Sequence, residues 1–340
     1  MTPSSSKRPR NNSAEVVELH ANVNAPSSLA GDASPSDPEV LRTLYSVLFR
    51  TRLLEEQVLS LIRAGRVPGT AVPTLGGEAT EVGACVGLQP EDSFSSTQPV
   101  LATHVVRGTP LETVFGEILR LPVNGRLQAE SHSLNSLNVV PLTASITGQL
   151  EVAAGVALSY RQLKKPNVVV ALAHDGLAAL GFWHEAASLA SRHRLPIIFM
   201  VENCDQAHPN GTSVVHSHED LRDRAEAYGF PGITVDGNDL VAVWRVTQES
   251  IHRARTGAGP TLVECRTWRW HPDTDTSSGN GHPANDSNPV RWQHDPLHHM
   301  EHYMKKRNLW NQSWAHDLTD DYRRAVQVAA KSATNGLRRK

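Results

Sequence analysis

Residues 168–204 constrain the fold of this chain more than any other segment. They open with an apolar, β-branched run, 168–173, that ends in His174-Asp175-Gly176. A stretch with helical character follows over 181–194, and a second apolar run, Ile197-Ile198-Phe199-Met200-Val201, ends in Glu202-Asn203-Cys204. Runs of this length, apolar at every position, predict strands covered on both faces, so the segment reads as strand, helix, strand in a parallel sheet. Polar groups gathered at both carboxyl ends of such a unit mark the edge where ligands bind.

The rest of the chain fits one large α/β domain with a tail: 340 residues is enough for a substantial core. A net charge of −2 gives no electrostatic case for nucleic acid, and no apolar run approaches the ~20 residues of a membrane span. The three cysteines, Cys85, Cys204 and Cys265, are widely spaced, which fits a reducing, cytoplasmic setting rather than a disulfide framework. Residues 1–37, rich in Ser, Pro, Asn and Ala, are expected to form a disordered tail, and the acidic residues Glu15, Glu18, Asp32 and Asp37 argue against a transit peptide. Residues 38–310 are expected to be the folded domain, 272–289 a mobile loop within it, and 311–340 a helical C-terminal extension.

Several motifs, in order and without gaps around the strand unit, give the chain a family resemblance. Asp175-Gly176, Trp183-His184-Glu185-Ala186, Leu195-Pro196 and Glu202-Asn203 lie at its centre. Arg50-Thr51-Arg52, Gly65-Arg66-Val67-Pro68-Gly69 and Gly76-Gly77-Glu78-Ala79 precede it, with Gln149 and Ala153-Ala154-Gly155 closer in. Tyr228-Gly229, Val235-Asp236-Gly237-Asn238-Asp239 and Gly259-Pro260-Thr261 follow. Together they resemble the alpha subunit of thiamine-diphosphate-dependent 2-oxo acid dehydrogenases, the pyruvate, branched-chain and acetoin group, from about Leu41 to about Pro296.

That resemblance implies a three-layer α/β/α thiamine-diphosphate-binding fold with a mainly parallel sheet. It implies a cofactor, thiamine diphosphate, held through Mg2+ by Asp175, by the position occupied by Cys204 and by the carbonyl of Gln206, with Gly176 and Leu177 beside the diphosphate. Ala144 and Ile146 fall where backbone groups meet the aminopyrimidine, and Arg269 and His271 are retained in a further family loop, where they are expected to contact a phosphate or an acidic substrate, Arg269 as a cofactor contact and His271 as a catalytic residue. The glutamate that activates the pyrimidine belongs to a beta-type subunit, so the implied assembly is an α2β2 heterotetramer or a homodimer, passing an acyl group to a lipoyl acyltransferase.

The contact residues depart from the family pattern. Cys204 stands where an asparagine supplies a side-chain oxygen, and a thiol is a poor ligand for a hard cation. His174 replaces a glycine, and its side chain either crowds the diphosphate or turns into the protein. His174, Asp175, Cys204 and Asp205 also form an N/S/O set suited to a transition metal. Ser96-Thr97-Gln98-Pro99-Val100-Leu101-Ala102 runs where the family has an arginine and histidine, and neither Pro99 nor Leu101 can hold a phosphate or move a proton. His104 is read as structural, and His294, His298, His299 and His302 as sitting on a solvated helix around Asp295-Pro296, with His298 and His302 on one face. Two functions remain open: an active alpha-type subunit, or a degenerate one retained for assembly with, or regulation of, a beta-type partner.

Overall fold

The structure, a computed structural model, describes residues 36–67, 73–119, 138–142, 148–178, 180–204, 221–268, 270 and 292–337. The chain begins with helices α1 (Pro38–Arg63) and α2 (Glu78–Cys85), then strand β1 (Ser93–Ser96) and helices α3 (Leu101–Val106) and α4 (Leu111–Ile118). Helix α5 (Gln149–Gln162) leads into β2 (Val169–His174), the short α6 (Asp175–Ala178), α7 (Gly181–His193) and β3 (Ile197–Asn203). Helix α8 (Leu221–Tyr228), β4 (Gly232–Asp236), α9 (Leu240–Arg255) and β5 (Thr261–Arg266) continue the alternation, and α10 (Pro296–Lys306) and α11 (Gln312–Leu337) close it.

The strands form a five-stranded sheet in the order β1-β2-β3-β5-β4, every neighbouring pair parallel. Alternate residues face opposite layers. Val170, Leu172, Ile198, Met200 and Val263 join the core shared with α1, α2 and α9, whereas Val169, Ala171, Ile197, Phe199 and Leu262 join the one shared with α5, α7 and α8. The result is the α/β/α sandwich that the apolar runs predict. Trp183 of α7 is buried and sits 5.2 Å from the Phe199 ring.

Local signals set the element ends. Asp37 caps α1 by accepting from Glu39 N at 2.9 Å, with Pro38 in the first turn, where a missing N–H costs nothing. Helix α7 ends at Arg194 in a left-handed conformation (φ 45°), one residue before Leu195 is fully buried. Helix α11 is no free extension among its described side chains: Ala315, Val326, Ala329 and Ala330 are buried in the same core as α1 and α4.

The amino edge of the sheet is held by Asp92, which is fully enclosed. Its carboxylate accepts from Arg255 Nη2 at 2.7 Å, Arg255 Nη1 at 3.2 Å, Val168 N at 3.0 Å and Gln89 N at 2.8 Å. The carboxyl edge is thereby left to the loops that build the site.

Candidate active site

The parallel register sets His174 opposite Glu202 at the carboxyl ends of β2 and β3, on one face of the sheet. The imidazole turns inward: Nδ1 lies 3.4 Å from Oε2 of the wholly buried Glu202. Of the two orientations open to the sequence, the structure takes the one turned into the protein. Asn203, on the other face, donates from Nδ2 to Glu264 Oε1 at 2.7 Å, and its carbonyl accepts from Thr267 N at 2.9 Å. The first two side chains of Glu202-Asn203-Cys204 are therefore committed to the protein, and half-buried Cys204 follows at the strand end.

Asp175 opens α6 half-buried, and its Oδ1 accepts from Gly176 N at 2.7 Å. Among the described residues, a β-carbon added at Gly176 would meet no atom within 4 Å beyond its chain neighbours and its own helix, and Leu177 is half-buried beside it. Asp175-Gly176 and Cys204 thus leave neighbouring strands at the same edge, as the sequence predicts. Gln206, Ala144, Ile146, Arg269 and His271 lie outside the described residues.

A magnesium ion fits this edge poorly. It requires hard oxygens at near-octahedral positions, and Cys204 offers sulfur at the place the resemblance assigns to an amide oxygen. Among the described residues no group of three or more His, Cys, Asp or Glu is arranged to hold a metal. The alternative set of His174, Asp175, Cys204 and Asp205 does not assemble from its described members either, because His174 is turned to Glu202.

The run after β1 shows where the altered residues went. Pro99 is exposed, while Val100 and Leu101 are buried in the core shared with α1 and α2. Of the two positions that the resemblance assigns to polar contacts, Leu101 here serves packing and Pro99 stands at the surface. Three residues into α3, His104 lies with Nδ1 3.4 Å from Thr109 Oγ1 and Nε2 3.8 Å from Glu117. Burial lowers its pKa to about 4, so it is neutral near pH 7 and ties α3 to α4. Arg107 points to the amino edge, donating to the carbonyls of Gln89 and Asp92 at 3.0 and 3.2 Å. It cannot replace the missing arginine.

At the start of α5, buried Gln149 donates from Nε2 to Ser95 Oγ at 3.1 Å and to Pro141 O at 3.3 Å. It fixes the chain on both sides of residues 143–147.

A polar cluster that the sequence flags only as family markers joins the 74–78 loop to the exit of β5. Arg52, on the apolar face of α1, donates from Nε and Nη2 to the carboxylate of Glu78, and from Nη2 to Asp295 Oδ1 at 3.0 Å. Its guanidinium lies 4.0 Å from the Trp270 ring centroid. Asn238 donates from Nδ2 to Gly76 O at 2.7 Å and accepts from Trp268 N at 2.9 Å. The signal available in the sequence was an arginine in the Leu41, Leu44, Leu48 stripe of a buried helix, where a charge persists only with partners.

Helix α10 carries His298, His299 and His302 as predicted, with His294 just before its Asp295 cap. Among the described residues, α10 and the start of α9 border a cleft of about 500 Å3, walled by Trp292, His298, His302, Tyr303 and Lys306. It lies at the β4 side of the sheet, away from Asp175.

Comparisons with known proteins show the family. A family model described as the dehydrogenase E1 component matches residues 47–339. The alpha subunit of acetoin:2,6-dichlorophenolindophenol oxidoreductase from Bacillus subtilis is 29% identical over 262 residues, 76% of each chain. The pyruvate dehydrogenase E1 component subunit alpha of Staphylococcus aureus is 29% identical over 298 residues, 87% of this chain and 79% of its own. The corresponding subunit from Staphylococcus epidermidis is 28% identical over the same length. This chain belongs to the dehydrogenase E1 component family, as an alpha-type subunit of the thiamine-diphosphate-dependent 2-oxo acid dehydrogenases.

Proposed function

We propose that the chain serves with a beta-type partner in the oxidative decarboxylation of pyruvate or a similar small 2-oxo acid, with acyl transfer to lipoamide on a lipoyl acyltransferase. The observation that carries this reading is the convergence of Asp175-Gly176 and Cys204 at one carboxyl edge, with open space at Gly176. In it, Asp175, Cys204 and Gln206 face the metal side, Gly176, Leu177 and Arg269 the diphosphate, Ala144 and Ile146 the pyrimidine, and His271 the reacting carbonyl. The partner contributes the activating glutamate, and the assembly is an α2β2 heterotetramer or a homodimer in the cytoplasm. Among the described residues no helix is long and apolar enough to cross a membrane.

No catalytic step is assigned through magnesium, because the described donors do not fit it. A second reading has its own support: Val100 and Leu101 are built into the core and Cys204 lacks a hard oxygen, which favours a subunit kept for assembly or regulation. Calorimetric titration of thiamine diphosphate into the chain with its partner, with Mg2+ and separately with Mn2+, distinguishes them. Saturable uptake with one bound cofactor per site supports the first reading. No heat of binding with either metal, in an intact complex, leaves the second.

A further inference from the structure

Trp292 is 54% exposed, yet the chain that follows it is anchored at each of the next three residues. The Gln293 carbonyl accepts from His299 Nε2 at 2.5 Å, the His294 ring stacks on Trp268 at 5.7 Å, and Asp295 accepts from Arg52 Nη2 at 3.0 Å. The indole meets the His298 ring edge to face at 6.4 Å and, with Tyr303, lines the cleft of about 500 Å3 beside α10. An exposed indole on an anchored backbone keeps a flat apolar surface available at the cleft instead of collapsing onto the protein.

Positive and hydrogen-bonding groups gather along the same helix. His298, His302 and Lys306 are exposed and spaced by four residues, which puts them in one row along α10 at the cleft. Lys305 is held by Glu301 at 3.1 Å, whereas Lys306 has no acid partner among the described residues. The half-buried Tyr303 ring carries the Arg307 guanidinium at 3.6 Å, a further positive charge beside the row. The cleft also takes in buried Leu240 and Val241 of the first turn of α9, the positive end of that helix. Asp239, the acid that lines it, is already engaged as the cap of α9, accepting from Ala242 N at 3.0 Å.

Neither set of groups suffices alone. Exposed cations hold a small anion weakly in salt, and an apolar face without polar groups does not fix the orientation of a ligand. Together they match a flat ring that carries a negative charge, and the volume falls in the range of roughly 300–1,000 Å3 typical of small-molecule sites. We propose that this cleft binds a planar aromatic anion, its ring against Trp292 and Tyr303 and its phosphate or carboxylate at His302 and Lys306. None of these residues belongs to the edge that bears Asp175 and Cys204, so the site stands whether or not thiamine diphosphate is bound there.

Calorimetric titration of the full chain with adenosine monophosphate and with anthranilate tests this, one probe carrying phosphate and the other carboxylate. Adenosine and aniline lack the anion; inorganic phosphate and acetate lack the ring. One saturable site is expected for at least one of the two aromatic anions, which then identifies the anionic group, with its partial probes at least tenfold weaker. Trp292→Ala and Lys306→Met change exposed side chains, and each is expected to weaken that binding at least tenfold with an unchanged thermal midpoint. No saturable binding of either aromatic anion at millimolar concentration, a partial probe that binds as tightly as the whole, or binding that survives either substitution overturns the proposal. Displacement by thiamine diphosphate with Mg2+ assigns the ligand to the cofactor edge and overturns it as well.

Discussion

His174 and Glu202 stand opposite each other on β2 and β3, Nδ1 3.4 Å from Oε2, with the carboxylate fully enclosed. The imidazole that replaces a family glycine is thus a partner of a buried acid. Replacing it, His174→Gly, removes that partner and places a flexible residue in a strand, and stability is expected to fall by roughly 1–3 kcal/mol. A urea midpoint unchanged from wild type would show that the pair contributes nothing.

Cys204→Asn returns a hard oxygen to the strand end. With magnesium present, thiamine diphosphate binding is expected to tighten by about 1–3 kcal/mol, the scale of one charge-assisted contact. Calorimetry on the two proteins side by side decides it. A native chain that binds tightly with manganese or zinc, and loses that on Cys204→Ala, would mean a re-tuned metal site.

Pro99 and Leu101 respond in opposite ways to restoration. Pro99 is exposed, so Pro99→Arg is expected to leave stability within about 0.5 kcal/mol and to add a further increment of diphosphate affinity. Leu101 is buried in the core, and Leu101→His is expected to cost about 2–4 kcal/mol without restoring a contact. Thermal unfolding of the two variants separates these effects, and a tolerated histidine at 101 would disprove the packing role.

The amino-edge clamp predicts a large stability effect far from the site. Asp92→Ala takes the carboxylate from Arg255, whose Nη1 keeps only Gln89 Oε1 and Pro166 O, and leaves two backbone N–H groups without their acceptor, at a cost of about 3–5 kcal/mol. Chemical denaturation measures the loss, which should appear with or without cofactor.

His104 makes the fold sensitive to acid. Its folded pKa is about 4 against an ordinary value of 6.5, lowered by burial, so the unfolded chain binds the proton more readily. Its contribution is complete above pH 6.5 and is lost as pH falls towards 4, by up to roughly 3 kcal/mol, with the Glu117 carboxylate at 3.8 Å reducing that figure. His104→Gln should flatten the stability profile across that window; an unchanged profile would place the acid sensitivity elsewhere.

The sequence by itself determined the sheet edge. The runs 168–173 and 197–201 are apolar at every position, the pattern of a strand covered on both sides, and the intervening helix sets both carboxyl ends in the same direction. That placed Asp175, Gly176 and Cys204 together, and showed which contact residues had changed. Where the changed side chains point was decided by tertiary structure: His174 could turn inward only because Glu202 waits on the adjacent strand, and Leu101 became core because α1 and α2 cover it. The Arg52 cluster shows the reason most plainly. Arg52 and Asp295 are 243 residues apart, and no local pattern of propensity or period records such a contact; it exists only once the sheet has brought α1, the 74–78 loop and the start of α10 to one place.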